Sequence, residues 1–164
     1  TRSFALAKNA GPGSIAHEWF HAFDHYIGDK LFPNIPRGQF ASRQWLTRQD
    51  AIHHPLNQRL QACYQAILLD DTGQDPSPLF QNSAKADKAA GGHYYSQPEE
   101  LCARAFEAFI QDAAVKNAFL VKGTKESEEA RLGLYPQGEQ RDRINAAFRT
   151  YFHSLGRALQ QKPA

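Results

Sequence analysis

Residues 14–28 read Ser14-Ile15-Ala16-His17-Glu18-Trp19-Phe20-His21-Ala22-Phe23-Asp24-His25-Tyr26-Ile27-Gly28, and the spacing inside this stretch decides the fold. Wound as an α-helix, it places His17 and His21 one turn apart, ~6 Å along the axis and on one face. Ala16, Trp19, Phe20, Phe23, Tyr26 and Ile27 fall on one broad arc. His17, His21, Asp24 and His25 fall opposite, with Glu18 at the edge. Such a helix packs its apolar arc into a core and lines a cleft with its imidazoles. Gly11-Pro12-Gly13 precedes it, Ser14 is the expected N-cap and Gly28 the expected stop.

His17-Glu18-Trp19-Phe20-His21 is an HExxH pattern. Two imidazoles one turn apart can share one small cation, and the intervening Glu18 then lies beside a water where it acts as general base. Tetrahedral Zn2+ is the expected cofactor: it accepts imidazole nitrogen at ~2.0–2.1 Å, and in catalytic sites one position stays open. The opposing reading is an amphipathic helix with surface histidines.

Two histidines are too few for such a site, so a third ligand is needed. His25 stands ~12 Å along the axis from His17, too far to share an ion. The candidate is Glu100, in Ser96-Gln97-Pro98-Glu99-Glu100-Leu101-Cys102-Ala103-Arg104-Ala105-Phe106-Glu107. Ser96 and Glu99 have the spacing of a capping box, and Pro98 suits a first helical turn. Leu101, Cys102, Ala105, Phe106, Phe109 and Ile110 form an apolar arc, whereas Glu100, Arg104, Glu107 and Gln111 form a polar stripe. The small Ala103 lets this helix approach the first. Equally open on spacing alone is a solvated stripe, with Arg104 pairing to Glu100 and Glu107 for ~0.2–0.5 kcal/mol per pair.

The rest of the chain bounds these possibilities. At 164 residues one domain, 1–164, is the default, and 41% hydrophobic residues with eleven Phe, six Tyr and two Trp supply its core. Net charge is +2 with scattered basic residues, which gives no case for nucleic acid. No apolar run approaches a membrane span. Thr1-Arg2-Ser3 is not a native start, so a piece of a longer polypeptide is expected. Cys63 and Cys102 sit among apolar neighbours and read as buried thiols of a reducing compartment. Short strands are expected at 4–8 and 119–121, a long loop at 28–50, helices from Pro55 and Ser96 and over the last 25 or so residues, and uncertain helicity at 79–90. The fold class is mainly α with a small β element. His53 and His54 read as surface residues, and His153 as structural.

The segments Ser14 to Asp24 and Tyr94 to Glu107, together with Leu134-Tyr135-Pro136-Gln137-Gly138-Glu139-Gln140-Arg141, resemble the zincin-like large polyvalent protein-associated domain of phages and mobile elements. The resemblance implies a minimal zincin-like metallopeptidase domain of gluzincin type. His17, His21 and Glu100 would hold zinc, with Glu18 as base. Phe20 stands where that family commonly has Gly. Arg104 stands where well-studied gluzincins carry an Asp that orients a histidine, and Asp24 is the substitute on the histidine face. Tyr95, with Tyr94 and His93 as alternatives, lies just before the Glu100 helix and is the candidate to hold the oxyanion; the opposing reading of these residues is packing at a helix entry. The implied activity is zinc-dependent hydrolysis of a peptide bond in a protein or peptide substrate, in the cytoplasm of a bacterial or phage-infected cell. The alternative is a non-enzymatic, zinc-stabilised structural or partner-binding module of a large phage or mobile-element protein.

Overall fold

A computed structural model of the chain describes residues 14–113 and 123–161. Within them the chain forms helices α1 (Ile15–Leu31), α2 (Ala41–Trp45), α3 (Pro55–Leu68), α4 (Pro78–Ala90), α5 (Pro98–Asp112), α6 (Glu128–Arg131) and α7 (Gly138–Gln160). The fold is mainly α. The strands expected at 4–8 and 119–121 lie outside the described residues. Among the described ones, strand-like pairing is an isolated antiparallel bridge between Leu69 and Pro76. No helix among them is long and apolar enough to cross a membrane.

Local chemistry sets several helix ends. Proline opens α3, α4 and α5, where its fixed φ fits and its missing N–H is not needed. His54 Nδ1 accepts the Leu56 N–H at 3.0 Å, and Ser77 Oγ accepts the Phe80 N–H at 3.1 Å. Gly91 closes α4 in the left-handed region, φ 69°. These caps make 79–90 a helix despite its indifferent composition.

Tertiary partners move other ends away from expectation. The helix α1 runs through Gly28 to Leu31. Gly28 is there for packing, because a Cβ would stand 2.7 Å from Ile35 Cδ1. The segment 28–50 is interrupted by α2. Ser14 receives the Glu18 N–H on its carbonyl at 3.1 Å and does not cap through its side chain. Ser96 and Glu99 form no capping box: Ser96 Oγ donates to Asp87 at 2.6 Å, Arg43 donates to Glu99, and Gln97 is the N-cap.

Two antiparallel helix pairs frame the core. His17 meets Glu107 and His21 meets Glu100, so α1 and α5 run in opposite directions. Gln140, at the start of α7, donates to the carbonyls of Ala66 and Ile67 at 3.2 Å, so α7 begins where α3 ends. Phe20, Phe106 and Phe148 interlock between the pairs, with ring centroids 5.2–5.9 Å apart. Burying each ring contributes ~1.5–3 kcal/mol. Every residue of α5 from Glu99 to Ala108 is buried, so its polar stripe is not a solvated face. Cys63 and Cys102 are buried free thiols, and burial pushes the Cys63 thiol up to about 12.

Candidate metal centre

The antiparallel crossing of α1 over α5 brings three side chains to one point. His21 Nε2 lies 3.0 Å from His17 Nε2 and 3.0 Å from Glu100 Oε1. His17 Nε2 lies 3.1 Å from Glu100 Oε2. One ligand atom from each of the three residues falls within 4.8 Å of the others. Tetrahedral bonds of ~2.0–2.1 Å set donor atoms about 3.3–3.4 Å apart, so this triangle has the size a zinc ion needs. Its chemistry fits too. Two imidazole nitrogens at contact distance repel each other unless a cation or a proton lies between them, and a carboxylate supplies the opposing charge.

Further groups surround the trio. Glu107 Oε1 lies 2.5 Å from His17 Nδ1, and Tyr135 donates its phenol O–H to Glu107 Oε2 at 3.1 Å. Tyr94, half exposed, hydrogen-bonds to Glu100 through its phenol. His21 is held differently. Its Nδ1 is buried without a hydrogen-bond partner among the described residues, and its ring packs against Phe40 at 5.5 Å.

These contacts shape the electrostatics. Burial alone would lower the His17 pKa; hydrogen bonds and charge from Glu100 and Glu107 outweigh it and raise the imidazole to about 9. Burial works against a charged Glu100, yet hydrogen bonds from His17 and His21 hold its carboxyl well below the ordinary carboxylate range. Burial, then the charge of Glu100, pushes the Tyr94 phenol up to about 12. Each of these groups is therefore tuned by the others.

The remaining expected residues are distributed as follows. Glu18 is half-buried and near enough to Tyr94 to act on it electrostatically. Asp24 is on the histidine face, but it is fully buried and occupied elsewhere. It accepts the Ser42 N–H at 2.9 Å, the Ser42 hydroxyl at 2.5 Å and the Tyr64 hydroxyl at 3.0 Å. Burial raises its carboxyl to about 6 against the pull of those bonds. Arg104 pairs with neither Glu100 nor Glu107. Its guanidinium donates to the Leu134 carbonyl, to Ser83 Oγ and to the Tyr95 carbonyl at 2.6, 3.0 and 2.6 Å. Tyr95 turns its ring toward Arg104, 5.6 Å from Arg104 Cζ, so among the described residues the phenol at Glu100 is that of Tyr94. His93 Nδ1 faces Ser96 Oγ at 3.5 Å; His53 and His153 are exposed, as is His54, which caps α3.

Glu107 and Tyr135 are the residues that sequence reasoning left out of the site. For Glu107 a signal existed: it lies two turns after Glu100 on the same stripe. Tyr135 lies in a segment that carries the resemblance, but nothing there gives it a role, since it reaches the site from a turn-rich segment 28 positions beyond Glu107.

Two concavities flank α1, and His17, His21 and Glu100 line neither. One, of about 680 Å³, is apolar and runs between α1, α3 and α7 past Trp19, Tyr26, Leu56, Phe152 and Leu159. The other, of about 510 Å³, is bounded by His25, Asp29 and Arg37.

Residues 86–159 match the family model of large polyvalent protein-associated domain 1. The match covers less than half of the chain but includes Glu100, Arg104, Glu107, Tyr135 and nearly all of α7. His17, Glu18 and His21 lie ahead of it. It supports a polyvalent-protein-associated domain in this stretch. No curated protein and no solved structure matches the chain.

Proposed function

We propose that the chain is a zinc-dependent metallopeptidase of gluzincin type, a zincin-like domain of a longer phage or mobile-element polypeptide acting on protein or peptide substrates in the cytoplasm. The observation that carries this reading is the convergence of His17 Nε2, His21 Nε2 and a Glu100 oxygen within 4.8 Å, with Glu18 one residue along from the first ligand. Three converging ligands fit an open, catalytic site better than a closed structural one, which takes four.

A zinc ion held there would supply Lewis acidity toward a scissile carbonyl and acidify a water at the open position. Glu18, between the ligands in sequence and not engaged with Glu100, is the base that takes the water's proton and delivers it to the leaving amine. Tyr94 is the better-placed donor for the developing oxyanion. Its phenol already reaches the ligand carboxylate and remains neutral at physiological pH, being pushed up to about 12. Tyr95 serves instead through its backbone carbonyl and ring, which help seat Arg104.

Metal content and peptide hydrolysis measured together test the assignment. Glu18→Gln keeps zinc at parental stoichiometry and loses hydrolysis by ~10²-fold or more. Glu100→Ala loses both zinc and hydrolysis. An active parent whose Glu18→Gln variant cleaves equally well rules out the peptidase.

A second reading, a zinc-stabilised module that binds a partner, is favoured by the apolar groove on the far side of α1. It predicts zinc binding with no hydrolysis in parent or variant.

A further inference from the structure

A ligand histidine must present a lone pair on one nitrogen, and that requires its proton on the other. We propose that Tyr135 and Glu107 form a hydrogen-bond relay that holds the His17 proton on Nδ1 and thereby aims its Nε2 lone pair at the ion. The proposal rests on the reading of His17, His21 and Glu100 as a metal centre.

Both oxygens of Glu107 are committed. Oε1 lies 2.5 Å from His17 Nδ1, and Oε2 takes the Tyr135 hydroxyl at 3.1 Å. A carboxylate engaged at both ends cannot turn away from the imidazole. Tyr135 is itself aimed by its neighbours. The carbonyl before it, of Leu134, receives Arg104 Nε at 2.6 Å. The carbonyl after it, of Pro136, receives an Arg141 guanidinium nitrogen at 3.2 Å. Both arginines are buried, and Arg141 is anchored in turn on Asp112, with bonds of 2.7 and 3.1 Å. Two buried guanidiniums thus clamp the backbone on either side of one phenol.

This arrangement also accounts for Arg104. It occupies the position, one turn after Glu100, where an orienting acid is expected from the resemblance. Orientation falls to Glu107, and Arg104 positions the tyrosine that steadies it. His21 Nδ1 has no such partner among the described residues, so the two histidines are unequal by construction. Glu107, Tyr135 and Arg104 are positioning residues that act through His17.

The test measures zinc affinity by chelator competition and the His17 Nδ1–H proton by NMR in the metal-free protein. Loss of Glu107 in Glu107→Ala weakens zinc ~10–100-fold and removes the downfield Nδ1–H signal. Glu107→Gln keeps an acceptor oxygen, folds as the isosteric control, and recovers most of the affinity. Tyr135→Phe gives a smaller but measurable weakening with no change of charge. A silent Tyr135→Phe together with a Glu107→Gln as weak as Glu107→Ala means that Glu107 merely balances charge, and the relay is wrong. A parent that loses zinc in Glu100→Ala but not in Glu107→Ala overturns the relay alone. A parent that binds no zinc at all overturns the metal reading and the relay with it.

Discussion

The two faces of α5 are equally buried and are satisfied in opposite ways. One face gives Leu101, Cys102, Ala105 and Phe106 to the aromatic core, where Phe106 meets Trp19, Phe20, Phe148 and Phe152 with centroids 5.2–5.7 Å apart. The other gives Glu100, Arg104 and Glu107 to histidines, carbonyls and hydroxyls. Apolar contacts are non-directional, so many residues of similar shape would serve. Buried polar groups need each donor and acceptor matched, and an unmatched one costs about 1–3 kcal/mol. A buried stripe of three charged residues, Glu100, Arg104 and Glu107, is therefore poorly explained by stability alone.

Three measurements sharpen or break this contrast. The largest effect belongs to the aromatic face. Phe106→Ala leaves a cavity among four rings and costs about 3–5 kcal/mol in chemical denaturation, with zinc binding retained by the molecules that remain folded. A cost below about 1 kcal/mol would mean that the core does not depend on this crossing.

Next comes Arg104→Ala, which strands the Leu134 and Tyr95 carbonyls and costs about 2–3 kcal/mol, with weakened zinc binding as Tyr135 loses its support. An unchanged melting temperature would place Arg104 among ordinary surface charges.

The smallest effect is a pH dependence of the metal-free protein. The folded pKa of His17, about 9, lies above its ordinary 6.5, so the bound proton stabilises the fold. That contribution is complete below about pH 6.5 and fades as pH rises through about 9. Thermal melts with chelator present fall across that window, and the slope disappears in His17→Gln. A parental profile that is flat or rises there contradicts the coupling of His17 to its two carboxylates.

The same contrast explains what could be read from the amino-acid order. The α1 face was legible because helical periodicity fixes which side chains share a side, and His17, His21 and Glu100 do meet in space. Proline likewise announces α3 locally, whereas the composition of 79–90 leaves α4 open and its Ser77 and Gly91 caps decide it. What sequence could not supply is competition between distant partners. Asp24 shares the histidine face, but Ser42 and Tyr64 claim it. Ser96 and Glu99 have capping-box spacing, but Asp87 and Arg43 claim them. The polar stripe of α5 was legible as a stripe, yet periodicity could not say whether water or α1 covers it. Tyr94 and Tyr95 are adjacent in sequence, and only the turn before α5 decides which phenol reaches Glu100.

The boundary of the family match has an evolutionary consequence. The matched stretch carries both acids, Glu100 and Glu107, while the imidazoles that neutralise them precede it. A lineage that kept this stretch and discarded the histidine helix would leave both acids without their imidazole partners and open the polar stripe to water. Across descendants, the two acids and the two imidazoles should accordingly be inherited or abandoned as a set, and an alignment in which they vary independently would show that the crossing is not under joint selection.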